Sequence, residues 1–295
     1  MTKNETVVGW DGSEQSEEAL DWAARRTQLQ RGSLVIVNVT ERFEIGHEHI
    51  PDDEPRREAV AAAHRITRDF PDLDVRSEVL DGRPVEVLAE LSRTADLVVV
   101  GSPHGRAPFR LAAWTVGGGV SVTASSPVAV IPAGAGSSAA GDVVVGVDGS
   151  RLSIAAALFA AQEARASGST LRVVHVWHEP DLWLDVVPWT DLSFDQMRVE
   201  HAALLDTVVG RVRAVFPGLS VVGTLSQGAT ARQLGLIEPP PRLIVIGSRA
   251  RSRGAESILG SVAHELLVNQ VSPVVVFPTV AAKKQSAILA SASAG

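Results

Sequence analysis

The residues with the most chemical promise lie in one run, GSRARSRGAESILGSVAHELL, from Gly247 to Leu267. Gly247 closes an apolar strand, Gly260 and Ser261 stand at the start of a helical stretch, and Arg249, Arg251 and Arg253 lie between them. Backbone N–H groups at a helix start attract anions, a serine hydroxyl adds a hydrogen bond, and arginines offset phosphate charge. Such a loop can hold a polyphosphate without a P-loop lysine. A solvated arginine cluster on an ordinary strand-to-helix loop would use the same residues; glycines, serine and arginines together favour phosphate.

Asp148 adds a second function. It follows a strand directly and precedes Gly149 and Ser150, so its carboxylate can accept hydrogen bonds from ribose hydroxyls. The competing role is an Asp-Gly-Ser turn whose carboxylate caps the next helix. Val176, at the end of the following strand, is suited to the adenine side through its backbone groups; taken alone it is a core valine.

The elements that must position these residues occur twice. VVGWDGS, with Asp11 and Ser13, returns as VVGVDGS, with Asp148 and Ser150, at an offset of 137 residues. LVIVNV, ending at Val39, returns as LRVVHV, ending at Val176, at the same offset. LVVVGS, ending at Gly101-Ser102, returns as LIVIGS, ending at Gly247-Ser248, now at 146. The nine extra residues fall in the stretch 177–196, where HEPDLWLDVVPWTDLSF reads as an elaborated loop.

Each copy alternates short apolar strands with helical stretches, which requires parallel pairing and right-handed crossovers. Continuously apolar strands need a sheet covered on both faces. The expected fold is therefore α/β, as two tandem three-layer domains, each with a five-stranded parallel Rossmann-like sheet flanked by helices. The expected divisions are a domain over residues 1–134, a glycine- and serine-rich flexible linker at 135–141, a domain over 142–280 and an alanine- and serine-rich flexible tail at 281–295. Pro239, Pro240 and Pro241 must shorten a helix that is continuous in the first copy. Ser13 and Ser150 are expected to cap the helices that follow them.

Composition narrows the class. The chain has 295 residues, of which 45% are hydrophobic and 21% charged, the balance of a folded protein rather than a disordered one. A formal net charge of -7 argues against direct nucleic-acid binding, which rests on clustered Lys and Arg. With no cysteine there is no disulfide, thiolate nucleophile or sulfur-ligated zinc, which suits a cytoplasmic address. No apolar run approaches the roughly 20 residues of a membrane span, so no membrane insertion is expected.

The two copies resemble the universal stress protein family in its tandem-domain, actinobacterial form. ATP-binding members of that family carry Gly-x2-Gly-x9-Gly-Ser/Thr after an early Asp and a strand-two Val. The second copy offers Asp148, Val176, Gly247, Ala250 in place of the second glycine, then Gly260 and Ser261 at the right spacing. The first copy offers Asp11, Val39 and Gly101, but His104 takes the second glycine and Trp114-Thr115 stands where Gly-Ser belongs. An indole there occludes a loop that glycine would leave open, so the second copy ranks first for ATP. The resemblance implies ATP, with Mg accompanying it, as the ligand. It also implies that the last strands, Val128–Ile131 and Val274–Phe277, pair across a pseudo-twofold axis. Further assembly into a homo-oligomer, a dimer foremost, and a protein partner are expected with it.

No nucleophile–base constellation or catalytic carboxylate pair stands out. His175, His178, His201 and His264 lack metal-ligand spacing and read as structural or solvated. Trp177, Trp183 and Trp189 read as an amphipathic loop packed on its own domain, and Asp52, Asp53 and Glu54 as a solvated loop. The leading expectation is an ATP-binding regulatory protein of the stress response, whose nucleotide occupancy alters conformation or partner binding. A nucleotide-independent interaction protein is the first alternative, and an adenylate-forming or slow ATP-hydrolysing enzyme the second.

Overall fold

The computed structural model describes residues 4–41, 53–102, 115–134, 140–178, 191–248, 251–253 and 256–282. The first repeat runs β1 (Glu5–Gly9), α1 (Glu14–Gln30), β2 (Ser33–Thr40), α2 (Glu54–Asp69), β3 (Asp74–Asp81), α3 (Pro84–Leu91), β4 (Leu97–Ser102), α4 (Val116–Thr123) and β5 (Val128–Pro132). The second runs β6 (Val143–Val147), α5 (Arg151–Ser167), β7 (Leu171–Trp177), α6 (Asp191–Val215), β8 (Val221–Gln227), α7 (Thr230–Gly235) and β9 (Leu243–Ser248). It continues through β10 (Arg251–Arg253), β11 (Glu256–Ile258), α8 (Ser261–Val268) and β12 (Val274–Pro278).

Local chemistry explains the helix starts. Ser13 and Ser150 sit in extended backbone and accept the N–H of Ser16 and Ser153, as the sequence leads one to expect. The prolines before β9 leave α7 with six residues against eight in α3. Four local expectations need correction. Trp177 is not loop but the buried last residue of β7, and Glu54 is not loop but the first residue of α2, while Asp52, Trp183 and Trp189 lie outside the described residues. Residues 191–196 are not loop: they belong to α6, which has 25 residues against 16 in α2, so extra chain here extends a helix. The strand-to-helix loop after β9 also carries a small antiparallel hairpin, β10 with β11.

The strands form one sheet in the order β3-β2-β1-β4-β5-β12-β9-β6-β7-β8. Neighbours within each repeat are parallel. β12 and β5 are antiparallel, with Val274 opposite Val130, Val275 opposite Ala129 and Val276 opposite Val128. The two five-stranded parallel sheets are thus not separate: the pairing of the last strands, expected from the family resemblance, joins them into one continuous ten-stranded mixed sheet. β5 and β12 are buried along their whole length, and left apart each would present unpaired backbone groups at an apolar edge. Ala129 and Val275 are equivalent positions of the repeats, so the pseudo-twofold axis passes between them.

Helices cover both faces. Ala19, Leu20 and Ala23 of α1, Ile66 of α2, Ala156 and Ala160 of α5 and Val208 of α6 share one core cluster with Val8, Ile36, Val145 and Val173 of the strands. Leu88 of α3, Val120 of α4, Leu234 of α7 and Leu266 of α8 pack on the opposite face with Val7, Val98, Val144 and Ile246. The strand period of two directs alternate side chains to the two clusters.

Candidate functional site

Each repeat leaves a crevice where β1 and β4, or β6 and β9, end side by side. The helix after β1 packs on one face and the helix after β4 on the other, so the chain diverges and opens a cleft beyond the strand ends. The first cleft is about 570 Å³ and is lined by Asp11, Val39, Gly101 and Thr115 together with Trp10, Ser13 and Val116. The second is about 270 Å³, lined by Asp148, Val176, Gly247, Gly260 and Ser261 together with Ser150, Thr230 and Ser248. Arg249 and Ala250 lie outside the described residues, as do His104 and Trp114.

The Asp-Gly-Ser turns are built alike. Gly12 and Gly149 hold φ of +79° and +76°, which residues with a side chain rarely adopt. Asp11 Oδ1 accepts the Ser13 N–H at 3.0 Å and the Ser13 hydroxyl at 2.5 Å, while Asp148 Oδ1 accepts the Ser150 N–H at 2.9 Å. Turn anchoring and a cleft-lining position therefore fall on the same carboxylate. For Asp11, partial burial alone would raise the pKa, but the hydrogen bonds from the Ser13 hydroxyl and N–H, then Ser16, outweigh it, so the carboxyl titrates below its ordinary value.

The helix starts differ between the clefts. In the first repeat Thr115 is the N-cap of α4, and its Oγ1 accepts the Gly118 N–H at 3.1 Å. In the second repeat Gly260 is the N-cap of α8 and has no side chain to offer. The first intrahelical bond there runs from His264 N–H to the Gly260 carbonyl at 2.9 Å. The N–H groups of Ser261, Val262 and Ala263 precede it at the mouth of the cleft, where an uncapped helix favours an anion.

The glycines also differ in what requires them. A Cβ on Gly101 would drive into the Gln15 backbone carbonyl of α1, whereas one on Gly247 would meet Leu152 Cγ at 2.8 Å, a movable side chain. Gly101 is thus required by packing alone. Trp10, Ser248 and Thr230 line the clefts without having been singled out from sequence. Trp10 donates its indole N–H to Glu17 Oε1 at 2.9 Å, and Ser248 Oγ accepts the Gly260 N–H at 3.3 Å. Their positions beside Asp11 and Gly247 were the available signal. His264 does not line the second cleft, and no group of three or more His, Asp or Glu side chains gathers for a metal among the described residues. No described helix is long and apolar enough to cross a membrane.

A doubly wound sheet with paired strand-end clefts defines a tandem Rossmann-like class of α/β protein. The chain belongs to the universal stress protein family, whose model matches residues 4–132 and 141–278. It is 28% identical over 285 residues to universal stress protein Rv2005c of Mycobacterium tuberculosis, covering 92% of this chain and 95% of that one. Universal stress protein Rv2623 of the same organism is 27% identical over 297 residues, with the same coverages. The crystal structure of a universal stress protein from Archaeoglobus fulgidus superposes with a TM-score of 0.67 at 18% identity, covering 94% of this chain and 99% of that one.

Proposed function

We propose that this chain is a nucleotide-binding regulatory protein of the stress response, with ATP held first in the second cleft. The observation that carries it is the uncapped start of α8, whose leading N–H groups open on a cleft also lined by Asp148 and Val176. Helix-start donors and Ser261 suit phosphate, Asp148 suits ribose hydroxyls, and Val147 and Val176 give the base an apolar wall. ATP is the nucleotide that the family resemblance implies, and the arginine-rich sequence between Gly247 and Gly260 suits its phosphate charge; no residue is assigned to Mg. Regulation requires that the nucleotide favour one conformation or one assembly over another, not merely that it fill the cleft.

In the first repeat Thr115 already caps α4, and Gly101 is required by packing. Those two observations favour a structural role for the first repeat, with the division near residues 135–141 separating it from the nucleotide-binding unit.

The test is mass spectrometry of the gently purified protein for retained nucleotide, followed by calorimetric titration with ATP. One molar equivalent, lost in both Asp148→Ala and Gly260→Trp, is the expected result. Absence of binding after titration overturns the proposal, and two equivalents overturn the ranking of the clefts.

A further inference from the structure

At the seam between the repeats, Arg26 of α1 meets Glu163 of α5. These are the same position of the two repeats, 137 residues apart. Arg26 Nε lies 3.1 Å from both Glu163 carboxylate oxygens and Nη2 lies 2.6 Å from Oε1, with side-chain exposures of 10% and 7%. Arg26 Nη1 also donates to Thr6 Oγ1 at 3.1 Å.

The charge inversion extends to a second position. Arg242, within electrostatic reach of Glu163, occupies the position that Asp96 holds in the first repeat, and Asp96 borders the same inter-repeat cleft as Arg26. The first repeat thus brings Arg26 and Asp96 to the seam, and the second brings Glu163 and Arg242. The strands beside them carry no such distinction: Val128–Val130 and Val274–Val276 are apolar, and antiparallel backbone pairing does not tell one from the other. Strand pairing alone would join two first repeats, or two second repeats, as readily as one of each. Across an axis that brings equivalent positions together, those alternatives would place Arg26 on Arg26 or Glu163 on Glu163, nearly dry. Gln270 adds a one-sided contact, donating to the Val130 carbonyl at 2.5 Å; its counterpart, Ala124, has no donor.

We propose that the Arg26–Glu163 pair keys the seam, so that the first repeat accepts a second repeat, from its own chain or another copy, and rejects its own kind. Hydrogen exchange of the full chain tests this at β5 and β12, with β1 and β6 as internal controls for folding of each repeat. R26E and E163R should each raise exchange at the seam strands by about a hundredfold or more, the scale expected when a buried pair is broken. The double reversal R26E/E163R should recover most of that protection. R26E and E163R chains refolded together in equal amounts should recover it too, because the first repeat of one then finds an opposite charge on the second repeat of the other. Unchanged exchange in both single variants, or no recovery in the double variant or in the mixture, overturns the proposal. If a reversal unfolds its repeat, R26Q and E163Q carry the same cycle: each alone should lose seam protection and the double glutamine regain it, and failure to regain it is equally decisive.

Discussion

His175 of β7 and His201 of α6 share one hydrogen bond, His175 Nε2 to His201 Nδ1 at 2.8 Å, and a second ties His175 Nδ1 to the Val147 carbonyl at 2.7 Å. A carbonyl only accepts, so Nδ1 of His175 carries a proton, and the second ring nitrogen, Nε2, is the one that meets His201. His201 also stacks on Trp177, with ring centroids 5.2 Å apart. The chain of bonds ends on the carbonyl immediately before Asp148, linking α6 to the turn of the second cleft.

Acid should weaken this arrangement. Burial, then the neighbouring His175, lower the His201 pKa from its ordinary 6.5, against a smaller opposing pull from Glu200. A histidine with a depressed folded pKa takes up its proton more readily when unfolded. Its neutral form is therefore fully tolerated above the unfolded value, and stability falls as pH drops below it toward the folded pKa. Urea unfolding between neutral pH and about pH 5 should show a shallower loss of stability for His201→Gln than for the parent chain. Parallel pH dependences would exclude His201 as the source.

Asp11 should act in the opposite range. Its folded pKa lies below 3.8, so its contribution is present above that value and is lost as pH falls through the folded pKa. Asp11→Asn should be less stable than the parent at neutral pH, and the two unfolding curves should converge in strong acid. A constant gap across the titration would show that the amide geometry, not the charge, is responsible.

The two strand-end glycines should respond unequally. Gly101→Ala places a methyl against the Gln15 backbone and should cost about 1–3 kcal/mol by urea denaturation. Gly247→Ala displaces only Leu152 and should cost less than about 1 kcal/mol. Equal costs would mean that α5 is held as rigidly against β9 as α1 is against β4.

Thr115 and Ser261 occupy the same position of the repeats and should separate by readout. Thr115→Ala removes a cap bond to Gly118 and should lower stability by about 1 kcal/mol. Ser261→Ala removes no cap, so stability should move by no more than about 0.5 kcal/mol while ATP affinity in calorimetry falls. An unaffected affinity would take the Ser261 hydroxyl out of the proposed phosphate contacts.

Local interactions were legible in the sequence. The apolar part of VVGVDGS lies within β6, because Asp-Gly-Ser directly after Val147 leaves the strand little freedom at that end. Ser13 and Ser150 read as caps because a cap bond spans only three residues. Asp11, Val39 and Gly101, aligned by the repeat, and Thr115, placed by the family resemblance, line one cleft because parallel strands carry their ends to one side of the sheet. Arg249 and Ala250 fall outside the described residues. What joins distant segments was decided only by the tertiary structure. The packing that requires Gly101, the pairing of His175 with His201 and the opposition of Arg26 to Glu163 depend on which faces meet in the packed sheet and across its buried axis. Composition and periodicity assign a residue to a face; only the packed sheet determines what that face touches.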